Sequence, residues 1–199
     1  MPSTYVPLNA TLGFKASPVN GLWFNIFGGY RISKDELFCN LVDADGYYFT
    51  HFLQDKAKTA YGGAELKYGY KDWFDASLKG TFYSWKTDNE NEELYLMTKP
   101  KFELNFYAEA KVFEGLKVYL GYEYVQRKEY VIEEGNSSRD FGLGNISNLS
   151  VGASYTFLKD LSVFGRVNNL LNKQYYYEYG YPAEKLNVLA GLSLVFLVK

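Results

Sequence analysis

The chain has 199 residues, of which 19% are aromatic and 22% are charged, and its formal net charge is −2. This charge provides no bulk attraction to nucleic acid, and no apolar run approaches the roughly 18 residues that a transmembrane helix needs. The 20 Tyr and 15 Phe are nevertheless too many for an ordinary soluble domain. A transmembrane β-barrel explains both properties, because only alternate residues of each strand face lipid.

The first predicted hairpin lies near the N-terminus. Apolar and polar residues alternate over residues 8–17 and again over residues 22–32, with a turn signal at residues 18–21 between them. A period of two is typical of a strand that separates two environments. Residues 33–58 have mixed character and are predicted to form the first long connection.

The second and third hairpins follow the same rhythm. The second is predicted for residues 59–85, with its turn at Lys71 and Asp72, and a polar loop follows at residues 87–93. The third alternates most regularly, over residues 102–112 and 116–125, on either side of Glu114 and Gly115. Strands of roughly 9–14 residues are long enough to cross a bilayer at a tilt.

A fourth hairpin completes the pattern. It follows a polar loop at residues 133–145, begins near Leu149 and turns at Lys159 and Asp160. Tight turns and long loops therefore alternate strictly, which predicts an all-β fold, an antiparallel up-and-down transmembrane β-barrel of about 9–10 strands. Nine strands are countable, whereas a closed antiparallel barrel needs an even number. Either a tenth strand lies within residues 1–7, or residues 1–199 form a single barrel segment cut from a larger barrel.

The last 40 or so residues carry the most specific motifs. An alternating strand ends in V-N-N-L-L-N-K-Q-Y (residues 167–175), and a tyrosine cluster and G-Y-P (180–182) follow. The closing strand contains G-L-S-L and ends near Phe196. This order of motifs resembles the C-terminal end of TonB-dependent outer-membrane receptors. The chain departs from that family in two places: Glu184-Lys185 stands where Gly-Arg is usual, and three residues follow Phe196.

The resemblance implies a receptor in the bacterial outer membrane, with lipid around its strands. Its ligand would be a siderophore, a vitamin or a glycan, bound at the extracellular loops. Such receptors look like far larger barrels with an N-terminal plug, which this chain lacks, so contact with TonB is expected only through a longer parent chain. The opening M-P-S-T-Y-V-P-L has no features of a signal peptide. Met1 is therefore interpreted as an artificial start, or the chain as part of a longer protein.

A second function stays open beside the receptor, namely a complete small barrel with a structural, adhesive or passive-pore role. A lipid-modifying barrel enzyme is rejected, because His51 is the only histidine, no serine lies near it, and no G-x-S-x-G motif occurs. One His and one Cys do not suffice for a zinc site. We predict no catalytic residue, no metal site, no cofactor and no nucleic-acid partner.

The polar sides of the predicted strands carry charges of both signs, which we predict to face the lumen. They could line a pathway or binding surface for solute, or they could form ion pairs that fill a narrow barrel. In a larger parent barrel the same residues would face the plug. These lumen-facing residues are Lys15, Arg31, Glu65, Lys67, Asp75, Lys79, Lys101, Glu103, Glu109, Lys111, Lys117, Glu123 and Arg166.

Tyrosines in the last loop form the candidate ligand-binding set. Their rings could stack on a siderophore or a sugar, or they could simply pack the loop against the barrel rim. The set consists of Tyr175, Tyr176, Tyr177, Tyr179 and Tyr181.

Overall fold

A computed structural model describes residues 4–41, 49–88, 92–128, 131–134, 137–140, 143–158, 160–178 and 181–195. In chain order the elements are β1 (Tyr5–Val19), β2 (Leu22–Leu41), β3 (Phe49–Tyr70), β4 (Phe74–Thr87), α1 (Glu92–Met97), β5 (Pro100–Phe113), β6 (Leu116–Arg127), β7 (Val131–Glu134), β8 (Ser137–Asp140), β9 (Ile146–Leu158), β10 (Leu161–Asn168), β11 (Tyr176–Glu178), β12 (Tyr181–Pro182) and β13 (Asn187–Leu194). Nine of these strands form one antiparallel sheet, in the order β1-β2-β3-β4-β5-β6-β9-β10-β13.

The sheet is an up-and-down meander, so the predicted strand order and the predicted count of nine are confirmed. Tight turns join β1 to β2, β3 to β4, β5 to β6 and β9 to β10. All four lie at the same end of the strands, which we call the short-turn end. The longer connections meet at the opposite, long-loop end. Two of the tight turns contain glycines with positive φ, Gly21 (81°) and Gly115 (84°), a conformation that glycine adopts without steric penalty.

Cross-strand register sorts the side chains of the sheet onto two faces. The apolar face carries the alternating hydrophobic residues, and many are open to the surroundings: Leu12 is 83% exposed, Leu192 72% and Phe82 65%. The polar face carries rows of polar residues, such as Asn25 paired with Glu65 on the next strand. Large apolar side chains exposed in this way do not form the core of a soluble protein, and a lipid environment accounts for them.

The β2–β3 hairpin is longer than the sequence pattern predicted. The prediction of a long connection over residues 33–58 was wrong, because β2 continues to Leu41 and β3 begins at Phe49. The strands remain paired from Ser33 and Ala57 up to Leu41 and Phe49. Hydrophobic alternation identifies a strand only where its two faces meet different environments. Beyond the membrane, neither side of this two-stranded ribbon faces lipid, and α1 covers part of it, burying Phe38 and Ala57. Its pairing therefore leaves no such pattern.

The other long connections contain elements that the polar composition of those loops did not predict. The helix α1 lies between β4 and β5, the β7–β8 hairpin between β6 and β9, and the β11–β12 hairpin between β10 and β13. Buried apolar clusters occur where two of these connections pack on the sheet: Tyr95 of α1 contacts Phe38, and Tyr175 contacts Val125 and Ile146. Within the described ranges, no helix combines the length and hydropathy required to span a bilayer.

The two edges of the sheet are β1 and β13. Both run from the long-loop end to the short-turn end, so pairing them directly would be parallel rather than antiparallel. Of the two alternatives for the odd strand count, a tenth strand within residues 1–7 is wrong for residues 5–7, because these already belong to β1. Since hydrocarbon does not tolerate unpaired backbone groups, both edges require a further pairing partner in a membrane.

Candidate functional site

The connection from β10 to β13 is organised by asparagines that follow β10. Asn169 is buried and has a φ of 49°. Its Nδ2 donates to the backbone carbonyls of Lys173, at 2.7 Å, and Glu184, at 3.1 Å, and its Oδ1 accepts from the Lys173 N–H at 3.2 Å. Asn172 Oδ1 accepts from the Leu186 N–H at 3.2 Å. The two side chains thus join the beginning and the end of the loop.

The β11–β12 hairpin folds over the polar face instead of projecting away from the sheet. Arg127 Nη1 donates to the carbonyl oxygen of Tyr176 at 2.7 Å. The Tyr177 hydroxyl donates to the carboxylate of Glu123 at 2.8 Å. Arg127 and Glu123 both belong to β6 and share its polar side. These two bonds fix the height and orientation of the hairpin above the sheet.

Two tyrosines of this loop meet edge to face. The ring centroids of Tyr175 and Tyr177 are 5.5 Å apart, with an interplanar angle of 89°. Burial raises the pKa of Tyr175. Burial, together with the hydrogen bond and the negative charge of Glu123, raises the pKa of Tyr177 as well. Both hydroxyls therefore remain protonated at neutral pH and are available as hydrogen-bond donors.

A cleft of about 550 Å³ lies between the folded hairpin and the sheet at the long-loop end. The Arg166 guanidinium carbon is 6.0 Å from the centre of the Tyr119 ring, and Tyr181 is 74% exposed at the cleft. The lining therefore combines a cation, amide groups, carboxylates and aromatic rings. Its residues are Asn148, Arg166, Asn168, Asn169, Tyr175, Tyr177, Glu178, Tyr181, Pro182, Ala183, Glu184 and Asn187.

The structure separates the predicted tyrosines into those that line the cleft and those that do not. Tyr175, Tyr177 and Tyr181 all line the cleft, although Tyr175 is mostly buried in the loop packing. Tyr176 does not line the cleft, and its hydroxyl accepts a hydrogen bond from Gln174. Tyr179 lies outside the described residues. Binding of a ligand by these tyrosines stays a prediction.

The charged residues predicted to face the lumen all lie on strands of the sheet. Twelve of the thirteen follow the alternation of the polar face, and Lys101 lies at a register shift between β5 and β6. Two ion pairs form within the set: Glu109 with Lys117, at 2.8 Å, and Glu65 with Lys67, at 2.9 Å. These pairs are compatible with either interpretation of the polar face, a solute surface or a filled interior.

A second loop is held to the sheet by a polar cluster. The Glu36 carboxylate accepts hydrogen bonds from Ser33 Oγ and the Tyr95 hydroxyl, each at 2.9 Å, and from the Lys99 ammonium. Glu36 lies 14 residues beyond Leu22, roughly 33 Å from the short-turn end at a 45° tilt, whereas the apolar band of a barrel is about 25 Å tall. The cluster is therefore outside the membrane.

The electrostatics of this cluster favour the ionised carboxylate. Burial alone would raise the pKa of Glu36, but the hydrogen bond and charge of Lys99, with the hydrogen bonds of Ser33 and Tyr95, hold it below its ordinary value. Burial and the neighbouring Glu36 raise the pKa of Tyr95, so its hydroxyl stays protonated as a donor. The helix α1 is thereby fixed beside β2.

Several residues of the cleft were not identified from the sequence. Asn168 and Asn187 face each other across β10 and β13, with their side chains 2.8 Å apart. Strand alternation puts both on the polar face, so a search for polar residues at strand ends would have found them. No comparable signal existed for Arg127, because its role depends on where the β11–β12 hairpin folds.

The antiparallel up-and-down sheet is the fold of one class of proteins, the outer-membrane β-barrels. No protein-family model matches the sequence, and no curated protein matches it either. The similarity of this chain to known proteins is therefore found by comparing structures.

Solved structures of TonB-dependent siderophore receptors are similar to this chain. The pyoverdine outer-membrane receptor FpvA from Pseudomonas aeruginosa bound to pyoverdine has a TM-score of 0.69 and 16% identity, and the match covers 94% of this chain and 29% of that one. The siderophore receptor PirA from the same organism has a TM-score of 0.60 and 19% identity, with 95% and 29% covered. The ferric-catecholate import receptor Fiu from E. coli K12 has a TM-score of 0.65 and 14% identity, with 94% and 27% covered.

These comparisons confirm the fold that the C-terminal motifs predicted. The chain spans less than a third of the length of the receptors that it resembles, as expected for a portion of a barrel.

Proposed function

We propose that this chain is the barrel portion of a bacterial outer-membrane receptor that captures a small ligand at the cell surface. The cleft under the β11–β12 hairpin is the proposed contact surface, and a siderophore is the leading ligand class, with a vitamin or a glycan as alternatives. Energised uptake through TonB would belong to a longer parent chain. The polar face would line the lumen of that larger barrel.

The observation that carries this proposal is the inward fold of the last loop. The Tyr177–Glu123 and Arg127–Tyr176 hydrogen bonds hold the hairpin above the polar face. A solute approaching from the long-loop end would meet the exposed ring of Tyr181 and the guanidinium of Arg166 in one cleft. Ligand sites typically combine aromatic surface with a few convergent polar groups, as this cleft does.

The alternative of a complete small barrel is less well supported. The sheet has two edges that cannot pair with each other in an antiparallel manner, whereas a small barrel would need such closure. The ion pairs on the polar face fit a filled interior, but the open edges favour a larger assembly.

Ligand titration of the purified protein in detergent tests the proposal. Ferric enterobactin and ferripyoverdine are the first probes, with cobalamin and oligosaccharides for the other two ligand classes, and quenching of intrinsic fluorescence reports binding. Removing a hydrogen bond made by a charged group costs about 1.5–3 kcal/mol, so Arg166→Gln is expected to weaken binding at least tenfold. Tyr181→Ala is expected to weaken it about tenfold, because it removes a stacking surface.

Tyr70→Ala is the matched control, since Tyr70 is exposed at the short-turn end, far from the cleft. If Tyr70→Ala weakened the binding of a probe as much as Arg166→Gln or Tyr181→Ala does, the proposed location of the site would be contradicted. Failure of all probe classes to bind would contradict the receptor function itself.

A further inference from the structure

The ring of Tyr119 lies across a glycine on the polar face, beside the cleft. Gly152 of β9 is the register partner of Tyr119 on β6 and of Arg166 on β10. A Cβ atom added at Gly152 would overlap the ring of Tyr119, so the glycine is what allows this ring to rest against the sheet. Three neighbouring strands thus bring a ring, a glycine and a cation into one row.

The guanidinium of Arg166 is placed over this ring. Its carbon lies 6.0 Å from the ring centre of Tyr119, within the range of a cation–π contact. The ring of Tyr107 stacks beside that of Tyr119, with centroids 6.2 Å apart and an interplanar angle of 25°. Arg166 is exposed, and among the described residues no carboxylate forms an ion pair with it. The ring, and not a carboxylate, therefore orients this cation.

The charges that line the cleft limit the charge of its ligand. Arg166 is the only cation among the described residues that line it, whereas Glu178 and Glu184 contribute two carboxylates. The other polar groups of this lining are uncharged amides and tyrosine hydroxyls. One anionic group of a ligand would pair with Arg166, and each further anionic group would be repelled by the carboxylates.

We propose that Gly152 and Tyr119 position Arg166 in the cleft, and that Arg166 selects a ligand with one carboxylate or phosphate group on an otherwise uncharged body. This role rests on the proposed function of the cleft and specifies the charge of its ligand. Gly152 and Tyr119 are positioning residues, because they act on the ligand only through the cation. An arginine side chain that is already held in place loses less conformational freedom when an anion binds.

The test uses two pairs of probes, each an acid and its methyl ester, which differ by one negative charge. The first pair is ferrioxamine B with a succinyl group on its amine, and the second is an aldobiouronic acid, a disaccharide with one carboxylate. Calorimetry with the purified protein in detergent gives the ratio of the ester and acid dissociation constants. We expect this ratio to be at least about ten for one pair, as a single hydrogen bond to a charged group provides. The pair that shows it identifies the body of the ligand as a chelate or a sugar.

Variants of the positioning residues should remove this preference for the acid. Gly152→Ala displaces the ring and Tyr119→Leu deletes it, so both should bring the ratio to within about twofold of one, as should Arg166→Gln. Tyr119→Phe keeps the ring and should keep the ratio of the wild type. If Gly152→Ala does not fold, Tyr119→Leu decides alone.

Gly29→Ala is the matched control for the loss of a glycine under a ring. The ring of Tyr61 lies across Gly29, so an added Cβ would overlap it as well. Tyr61 is held by a hydrogen bond with Thr11 and by the ring of Tyr83, on strands far from the cleft in the sheet order. Gly29→Ala should therefore leave the ratio of the wild type unchanged.

A second measurement needs no ligand. Phenylglyoxal modifies arginine side chains, and peptide mass spectrometry gives the rate of modification at Arg166. Loss of the covering ring should raise this rate at least twofold in Gly152→Ala and Tyr119→Leu but not in Gly29→Ala. Unchanged rates in both variants would overturn the positioning role.

The selectivity has its own contrary outcomes. It would be overturned if the preference for the acid survived in Gly152→Ala and Tyr119→Leu, or if ferric enterobactin, with three negative charges, bound more tightly than both acids. If no probe bound to the wild type, the proposed function would fail and the selectivity with it. The modification rates would still decide whether the ring positions Arg166.

Discussion

At the scale of single residues, Asn169 holds the last loop in the conformation that forms the cleft. Its side chain satisfies two carbonyls and one N–H of the last loop, and its backbone has a positive φ. Asn169→Ala removes these hydrogen bonds and puts an alanine in the left-handed region. We expect a loss of about 2–4 kcal/mol in the free energy of unfolding, measured by denaturant titration in detergent.

The variant Asn169→Gly separates the two causes. Glycine tolerates the positive φ but makes no side-chain hydrogen bonds. It should therefore recover only the part of the loss that comes from backbone strain. A change below about 0.5 kcal/mol for Asn169→Ala would contradict the structural role, since surface substitutions commonly fall in that range.

Tyr177 is the second residue on which the cleft depends. Tyr177→Phe keeps the edge-to-face contact with Tyr175 and removes only the hydroxyl that binds Glu123. Because the side chain is half exposed, we expect a loss of about 1 kcal/mol in unfolding free energy, which is below the range of about 1.5–3 kcal/mol for hydrogen bonds to charged groups. Tyr176→Phe, which loses only an exposed contact with Gln174, is the control and should differ by less than about 0.5 kcal/mol.

At the scale of elements, the docking of α1 on β2 should depend on pH. The pKa of Glu36 is lower in the folded protein than its ordinary value of 4.5, so the unfolded chain binds more protons between these two values. The stabilisation contributed by Glu36 is therefore complete above about pH 4.5 and is lost as the pH falls through the folded pKa. Denaturant titrations of the wild type and Glu36→Gln at pH 7 and pH 3 measure this directly.

The expected result is a difference of about 1 kcal/mol between the two proteins at pH 7, which becomes smaller at pH 3. Glu114→Gln, in the exposed turn between β5 and β6, is the control and should show no such pH-dependent difference. A difference between Glu36→Gln and the wild type that stays constant across this range would show that the Glu36 charge does not hold the helix.

The sequence predicts some elements better than others, depending on whether the two sides of the element face different solvents. β5 and β6 were predicted almost to the residue because lipid and water meet on opposite sides of each strand, which enforces a strict period of two. The upper half of the β2–β3 hairpin has no such constraint, and neither do α1 and the β11–β12 hairpin. The cleft was located only in part, through its tyrosines, because Arg127 and the asparagines act through contacts between segments that are distant in the chain.

At the scale of the whole molecule, the apolar face of the sheet is expected to contact lipid acyl chains. Leu78 of β4 lies four residues beyond Phe74, roughly 9 Å from the short-turn end and well inside an apolar band of about 25 Å. Its side chain is 40% exposed on the apolar face, opposite Leu66. An arginine here would have to bring its charge into hydrocarbon, so Leu78→Arg should lower the free energy of unfolding in a bilayer by about 2–4 kcal/mol.

Asn105→Arg provides the matched control at a similar depth on the polar face. Asn105 is paired with Lys79 on one side and Glu123 on the other, so the added charge meets both signs and water instead of lipid. This variant should lose less than about 1 kcal/mol when the two are compared by urea titration in lipid vesicles. If Leu78→Arg were tolerated as well as Asn105→Arg, the apolar face would not meet acyl chains. The orientation of the sheet would then be wrong, and the polar-lumen interpretation would be lost with it.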